Sequence, residues 1–135
     1  IANAPALLAL GQHEVGINVF FVRSLSPVGL QAYAPAPGPA GLARTSGSGI
    51  VISLDTLCYR TWTDLARLTA HELARYMGLY DIVEIDDTAA APKRDPILDD
   101  DLESPSSNLM FYSEHVGTDL SPEQRDILSR SAVLR

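Results

Sequence analysis

Several things that usually declare a function are scarce in this chain. It has one cysteine, Cys58, so no internal disulfide is possible and the redox compartment cannot be read from its thiol. A small buried hydrophobe is the expected role of Cys58, ahead of a nucleophile. No apolar run approaches the roughly 20 residues of a helical membrane span, so no span is expected. Cations are short too: 10 Lys and Arg stand against 17 Asp and Glu, for a formal charge of -7 and a pI near 4.7. Phosphate contacts need clustered cations on one face, so nucleic acid is not an expected partner. The chain opens on Ile1 in place of Met, which reads as a processed, proteolysed or truncated product.

What remains is the composition of one folded unit. With 135 residues, 46% hydrophobic and 20% charged, residues 1–135 are expected to form a single domain with one real core. INVFFV at 17–22 and GIVIS at 49–53 are apolar, β-branched runs that predict two core strands, the first buried on both faces. Between them the prolines at 35, 37 and 39 rule out a helix and leave room for a short edge strand over Gly29, Leu30, Gln31, Ala32, Tyr33 and Ala34.

A long helix follows, capped by Thr61 or Thr63, with Asp64 near its positive end and Leu65, Leu68, Leu73, Tyr76 and Met77 for apolar contacts. Gly78 is its expected stop. From Glu84 to Glu103 the chain is acidic and contains Pro92 and Pro96, which predicts an irregular loop. Its carboxylates are the hard ligands that calcium takes, but no EF-hand spacing is present and a solvated charge run is the favoured reading. Ser121, Pro122 and Gln124 predict a second helix over about 122–129 through a capping box and a first-position proline.

The chemistry concentrates in HELARYMGLYD, residues 71–81. Positions 71 and 75 share a helix face, and Glu72 lies about a quarter turn from His71. In an H-E-x-x-H helix such a pair offers zinc two imidazoles and sets a carboxylate beside the metal-bound water. Gly78 then breaks the helix, and Asp81 supplies an oxygen ligand three residues later. This pattern resembles the metzincin clan of zinc endopeptidases, in the variants whose third ligand is Asp. SNLMFYS at 107–113 is similar to the clan's Met-turn, and the order strand, glycine-rich edge segment, strand, long helix is similar to its upper subdomain.

That resemblance implies an α+β fold with a small twisted sheet on a long active-site helix. The upper part would span about 1–78. An irregular lower part with a C-terminal helix would take about 79–135. It implies His71 and Asp81 as zinc ligands, Glu72 as general base, Tyr112 as a hydroxyl near the metal or the developing oxyanion, and Met110 as a structural floor. The segment Gly29 to Ala34 would pair with an extended peptide or protein substrate. A secreted, periplasmic or cell-surface setting is implied as well. Metzincins also carry a further strand and a long helix ahead of the first core strand. Only a short helix over about Ala4 to Leu10 is available here, so a preceding segment or a second chain would have to supply the rest.

Arg75 departs from the pattern, because it stands where the second histidine is required. A guanidinium has no free lone pair and stays protonated, so it cannot ligate zinc and places a positive charge where the ion would sit. Severely reduced zinc affinity is expected, and with it little hydrolysis. Arg75 could instead serve as the local cation, forking between Glu72 and Asp81. His13 and His115 are read as residues with no ligand role in preference to a rescue of the site. Three functions follow: a metzincin-type endopeptidase inactivated at position 75, whether naturally or by design; a pseudoprotease that binds peptides; and a structural module with a vestigial cleft.

Overall fold

The computed structural model describes residues 3–11, 16–34, 45, 47–80, 83–84, 93–94, 106–111 and 117–131. They form an α+β arrangement built on a three-stranded mixed sheet. Strand β1 (Val19–Val22) lies parallel to β3 (Ile50–Ser53), and β2 (Ala32–Tyr33) runs antiparallel to β3 on its other side. The strand order is therefore β1-β3-β2, with the GIVIS segment at the centre. All four β3 residues are buried, as expected of a β-branched run with neighbours on both sides. Burying Ile50 and Ile52 completely contributes about 1.5–3 kcal/mol each.

The expectation that β1 is buried on both faces is corrected. Its residues are only partly covered, and Phe21 is 52% exposed. Among the described residues β1 has a strand on one side only, which a continuous apolar run cannot reveal. Helix α1 (Ala4–Leu8) precedes it, extended by a tight turn over Ala9–Gly11, and buries Ala4 and Leu8.

Helix α2 (Trp62–Tyr76) is the axis of the molecule. Of the two candidate caps, Thr61 takes the role: its Oγ1 accepts from the Asp64 backbone N–H at 3.2 Å, and Asp64 Oδ2 accepts from the Thr61 N–H at 3.0 Å. Leu65 and Tyr76 pack with Ile50 and Ile52 in one core cluster. Ala74 belongs to a second cluster with Leu79, Leu109 and Met110. The helix thus walls both cores. A buried hydrogen bond between the Tyr76 and Ser48 hydroxyls ties it to the approach of β3.

The helix ends where Gly78 predicts. Gly78 has φ +120°, its N–H donates to the Arg75 carbonyl at 3.0 Å, and the Leu79 N–H donates to the Ala74 carbonyl at 3.1 Å. This pair of bonds is the Schellman arrangement, and the accompanying apolar contact joins Leu79 to Ala74.

Two further expectations are adjusted. Cys58 is exposed, at the end of the 3-10 turn Leu54–Cys58. That turn sends Leu54, Thr56 and Leu57 inward and leaves Cys58 and Tyr59 outside. The acidic segment read as irregular contains a ladder, β4 (Val83–Glu84) antiparallel to β5 (Lys93–Arg94). Strands of two residues have no periodicity to read. The rest of that run lies outside the described residues. Helix α3 (Pro122–Ser129) matches its predicted limits, with the Ser121–Gln124 capping box formed.

Candidate functional site

His71, Glu72 and Arg75 lie in the last turns of α2. Glu72 is buried at 7% exposure, while His71 and Arg75 are half-buried. The decisive contact runs from His71 to a segment 38 residues later: its Nδ1 lies 2.8 Å from the Leu109 carbonyl oxygen. A carbonyl oxygen only accepts, so Nδ1 carries the proton. In the neutral ring the lone pair is therefore on Nε2. A backbone carbonyl on one ring nitrogen is the usual way a protein orients the other toward a metal or a proton.

Leu109 and Met110 sit in a tight turn closed by the Phe111 N–H donating to the Asn108 carbonyl at 3.3 Å. Met110 is fully buried beside Ala74, Leu79 and Leu109. The helix motif and the NLMF turn are thus brought together. The turn is held from both ends of Asn108. Asn108 Oδ1 accepts from the Met110 N–H at 2.8 Å, an Asx turn, and Asn108 Nδ2 donates to Gln124 Oε1 at 2.9 Å. Gln124 Nε2 returns a donation to Asn108 Oδ1 at 3.3 Å. The Leu109 N–H donates to the Asp119 carbonyl at 2.8 Å, beside a parallel bridge between Asn108 and Asp119.

Other predicted site residues fall differently. Asp81, Tyr112, His13 and His115 lie outside the described residues, as does most of the acidic run weighed for calcium. Among the described residues no group of three or more His, Cys, Asp or Glu side chains comes together as a metal would require. Of the expected zinc ligands only His71 is described.

The predicted edge segment is present as β2. Ala32 stands opposite Ile52 and Tyr33 opposite Val51, and the Ser53 N–H donates to the Gln31 carbonyl at 2.8 Å. Gln31 and Ser53 are therefore a hydrogen-bonded pair. In an antiparallel ladder the next pair is not, so the N–H and C=O of Ala32 point away from β3. Among the described residues no strand lies beyond them.

An apolar groove of about 520 Å³ lies elsewhere, lined by Phe21, Leu54, Trp62, Leu65, Ala66 and Ala70 among others. At about 100° per residue, Ala66 and Ala70 are on the opposite side of α2 from His71 and Arg75. Among the described residues the groove's lining holds no titratable side chain.

Sequence reasoning missed Asn108 and undervalued Gln124. Gln124 was legible only as a capping partner of Ser121, yet its side chain is completely buried and its Oε1 serves both the Ser121 N–H and Asn108. The one available signal was Asn108 two residues before Met110, the spacing of an Asx turn. No family model matches the chain, and neither does any curated protein or solved structure.

Proposed function

We propose that this chain is a metzincin-type endopeptidase domain whose zinc site is impaired by Arg75, so that it cleaves peptides weakly or not at all as it stands. The observation that carries the reading is the hydrogen bond from His71 Nδ1 to the Leu109 carbonyl, which joins the helix motif to the turn bearing Met110. The two stretches that carry the resemblance meet at His71, the one of the motif's two histidine positions that holds an imidazole, and that supports the reading. In this reading His71 and Asp81 are the ligand positions, Glu72 the general base, Tyr112 the oxyanion hydroxyl and Met110 the floor.

Zinc does not fit the residues present. Position 75 offers a cation without a lone pair where the second imidazole belongs. In this reading Arg75 stands as the local cation where the ion would be. A secreted, periplasmic or cell-surface setting and an extended peptide or protein substrate belong to the same reading.

The test is Arg75→His. The variant is expected to take up stoichiometric zinc, measured by elemental analysis, and to cleave an unstructured protein. A folded variant that does neither sinks the reading.

A second reading is favoured by the outward N–H and C=O of Ala32 together with Arg75: a pseudoprotease that holds an extended peptide against β2 without cutting it. Saturable binding of a peptide that the unaltered chain leaves intact supports it over a vestigial cleft.

A further inference from the structure

We infer that Asn108 and Gln124 are positioning residues that set the tautomer of His71, with the Leu109 carbonyl as the transmitting atom. The chain of contacts is continuous. Gln124 Oε1 accepts from Asn108 Nδ2 at 2.9 Å and from the Ser121 N–H at 3.0 Å, and Gln124 Nε2 donates back to Asn108 Oδ1 at 3.3 Å. Asn108 Oδ1 also holds the Met110 N–H at 2.8 Å. Leu109 lies between these two clamped residues, so its peptide plane is held on both sides while its N–H is fixed to Asp119. Its carbonyl is thereby aimed at His71 Nδ1.

Both amides are enclosed, Asn108 at 5% exposure and Gln124 at 0%. Water does not compete for their hydrogen bonds, and loosening one leaves buried polar atoms without a substitute. The neutral imidazole of histidine in isolation favours the Nε2–H form. The aimed carbonyl reverses that preference and leaves the lone pair on Nε2. For a helix histidine that is to bind a metal or accept a proton, this is the productive tautomer.

The purpose of the device rests on the reading of His71 given under Proposed function, but its existence does not. The experiment is therefore read on the ring itself, by nitrogen-15 NMR of His71 recorded on the alkaline plateau where its ring shifts no longer change with pH. In the unaltered chain Nδ1 is expected to carry the proton. In Asn108→Ala and in Gln124→Met, which keeps the length and burial of residue 124, the Nε2–H form becomes the major one. Ser121→Ala removes only the hydroxyl cap of the same helix. It lowers the thermal midpoint and leaves the tautomer alone.

In an Arg75→His background Asn108→Ala weakens zinc binding by about 10–100-fold, the usual effect of losing a ligand's supporting hydrogen bond. An unaltered chain with Nε2 protonated overturns the inference, as does a folded Gln124→Met with an unchanged tautomer or a Ser121→Ala that shifts it equally. If Arg75→His takes up no zinc while the tautomer follows Asn108 and Gln124, the inference stands and the peptidase reading falls.

Discussion

His71 on α2 and Leu109 in the turn that buries Met110 are joined at 2.8 Å, so one helix face and one turn share a single imidazole. The position of that ring depends on how firmly the turn is seated. Met110, wholly buried against Ala74, Leu79 and Leu109, is the seat.

Truncating that seat should be costly. Met110→Ala is expected to destabilise the chain by about 2–5 kcal/mol, since it removes buried apolar atoms and leaves a cavity. Met110→Leu conserves volume and should cost less than about 1.5 kcal/mol. Urea denaturation midpoints measure both. Equal effects from the two substitutions would mean that the site collapses freely and that Met110 is no floor.

Peptide pairing is predicted to depend on a single backbone group. Ala32 turns its N–H away from β3, so Ala32→Pro removes a donor that the sheet does not use. Proline is tolerated on an edge strand when its missing N–H faces outward. The variant should keep its thermal midpoint within a few degrees and lose affinity for an extended peptide. Undiminished binding would place the peptide elsewhere on the molecule.

Legibility in the sequence followed the range of the forces involved. Local signals were enough for α3, for the Thr61 region as the start of α2 and for Gly78 as its end, because caps and glycine turns are decided within a few residues. GIVIS was legible as a core strand because burial on both faces leaves an apolar, β-branched run, but its place at the centre of the sheet was not. Nor was the partial exposure of β1, since the same pattern serves an edge strand whose outer side is apolar. His71, Glu72 and Met110 were singled out through the resemblance of their two motifs, and the structure brings His71 to the turn that bears Met110. The carbonyl that His71 uses could not be singled out, because backbone atoms carry no letter. The amide pair of Asn108 and Gln124 is long-range and chemically plain, so nothing marks it along the chain.

Gly78 should resist replacement for conformational reasons alone. Among the described residues a Cβ there would meet only Ile127 Cγ2, at an ordinary 3.8 Å. Its φ of +120° is one that an L side chain rarely adopts. Gly78→Ala is therefore expected to cost about 1–3 kcal/mol with little change in helix content by circular dichroism. A neutral result would mean that the chain can leave α2 by another path.

Acid should release the start of α2. The carboxyl of Asp64 is held below its ordinary value of 3.8, chiefly by the Thr61 hydroxyl donating to it at 2.7 Å and then by the Thr61 backbone N–H; desolvation opposes these, and Arg67 and Arg60 each add a smaller lowering effect. A carboxylate whose folded value is depressed stabilises the fold above its unfolded value of about 3.9, and loses that contribution as pH falls through the folded value. The stability gap between the unaltered chain and Asp64→Asn should then be full at neutral pH, narrow below about pH 4 and close in stronger acid. Because hydrogen bonds outrank the arginines as the cause, added salt should shrink the gap only slightly. Urea titrations at a series of pH values measure it. A gap that stays constant into strong acid would show that the ionised carboxylate is not what caps this helix.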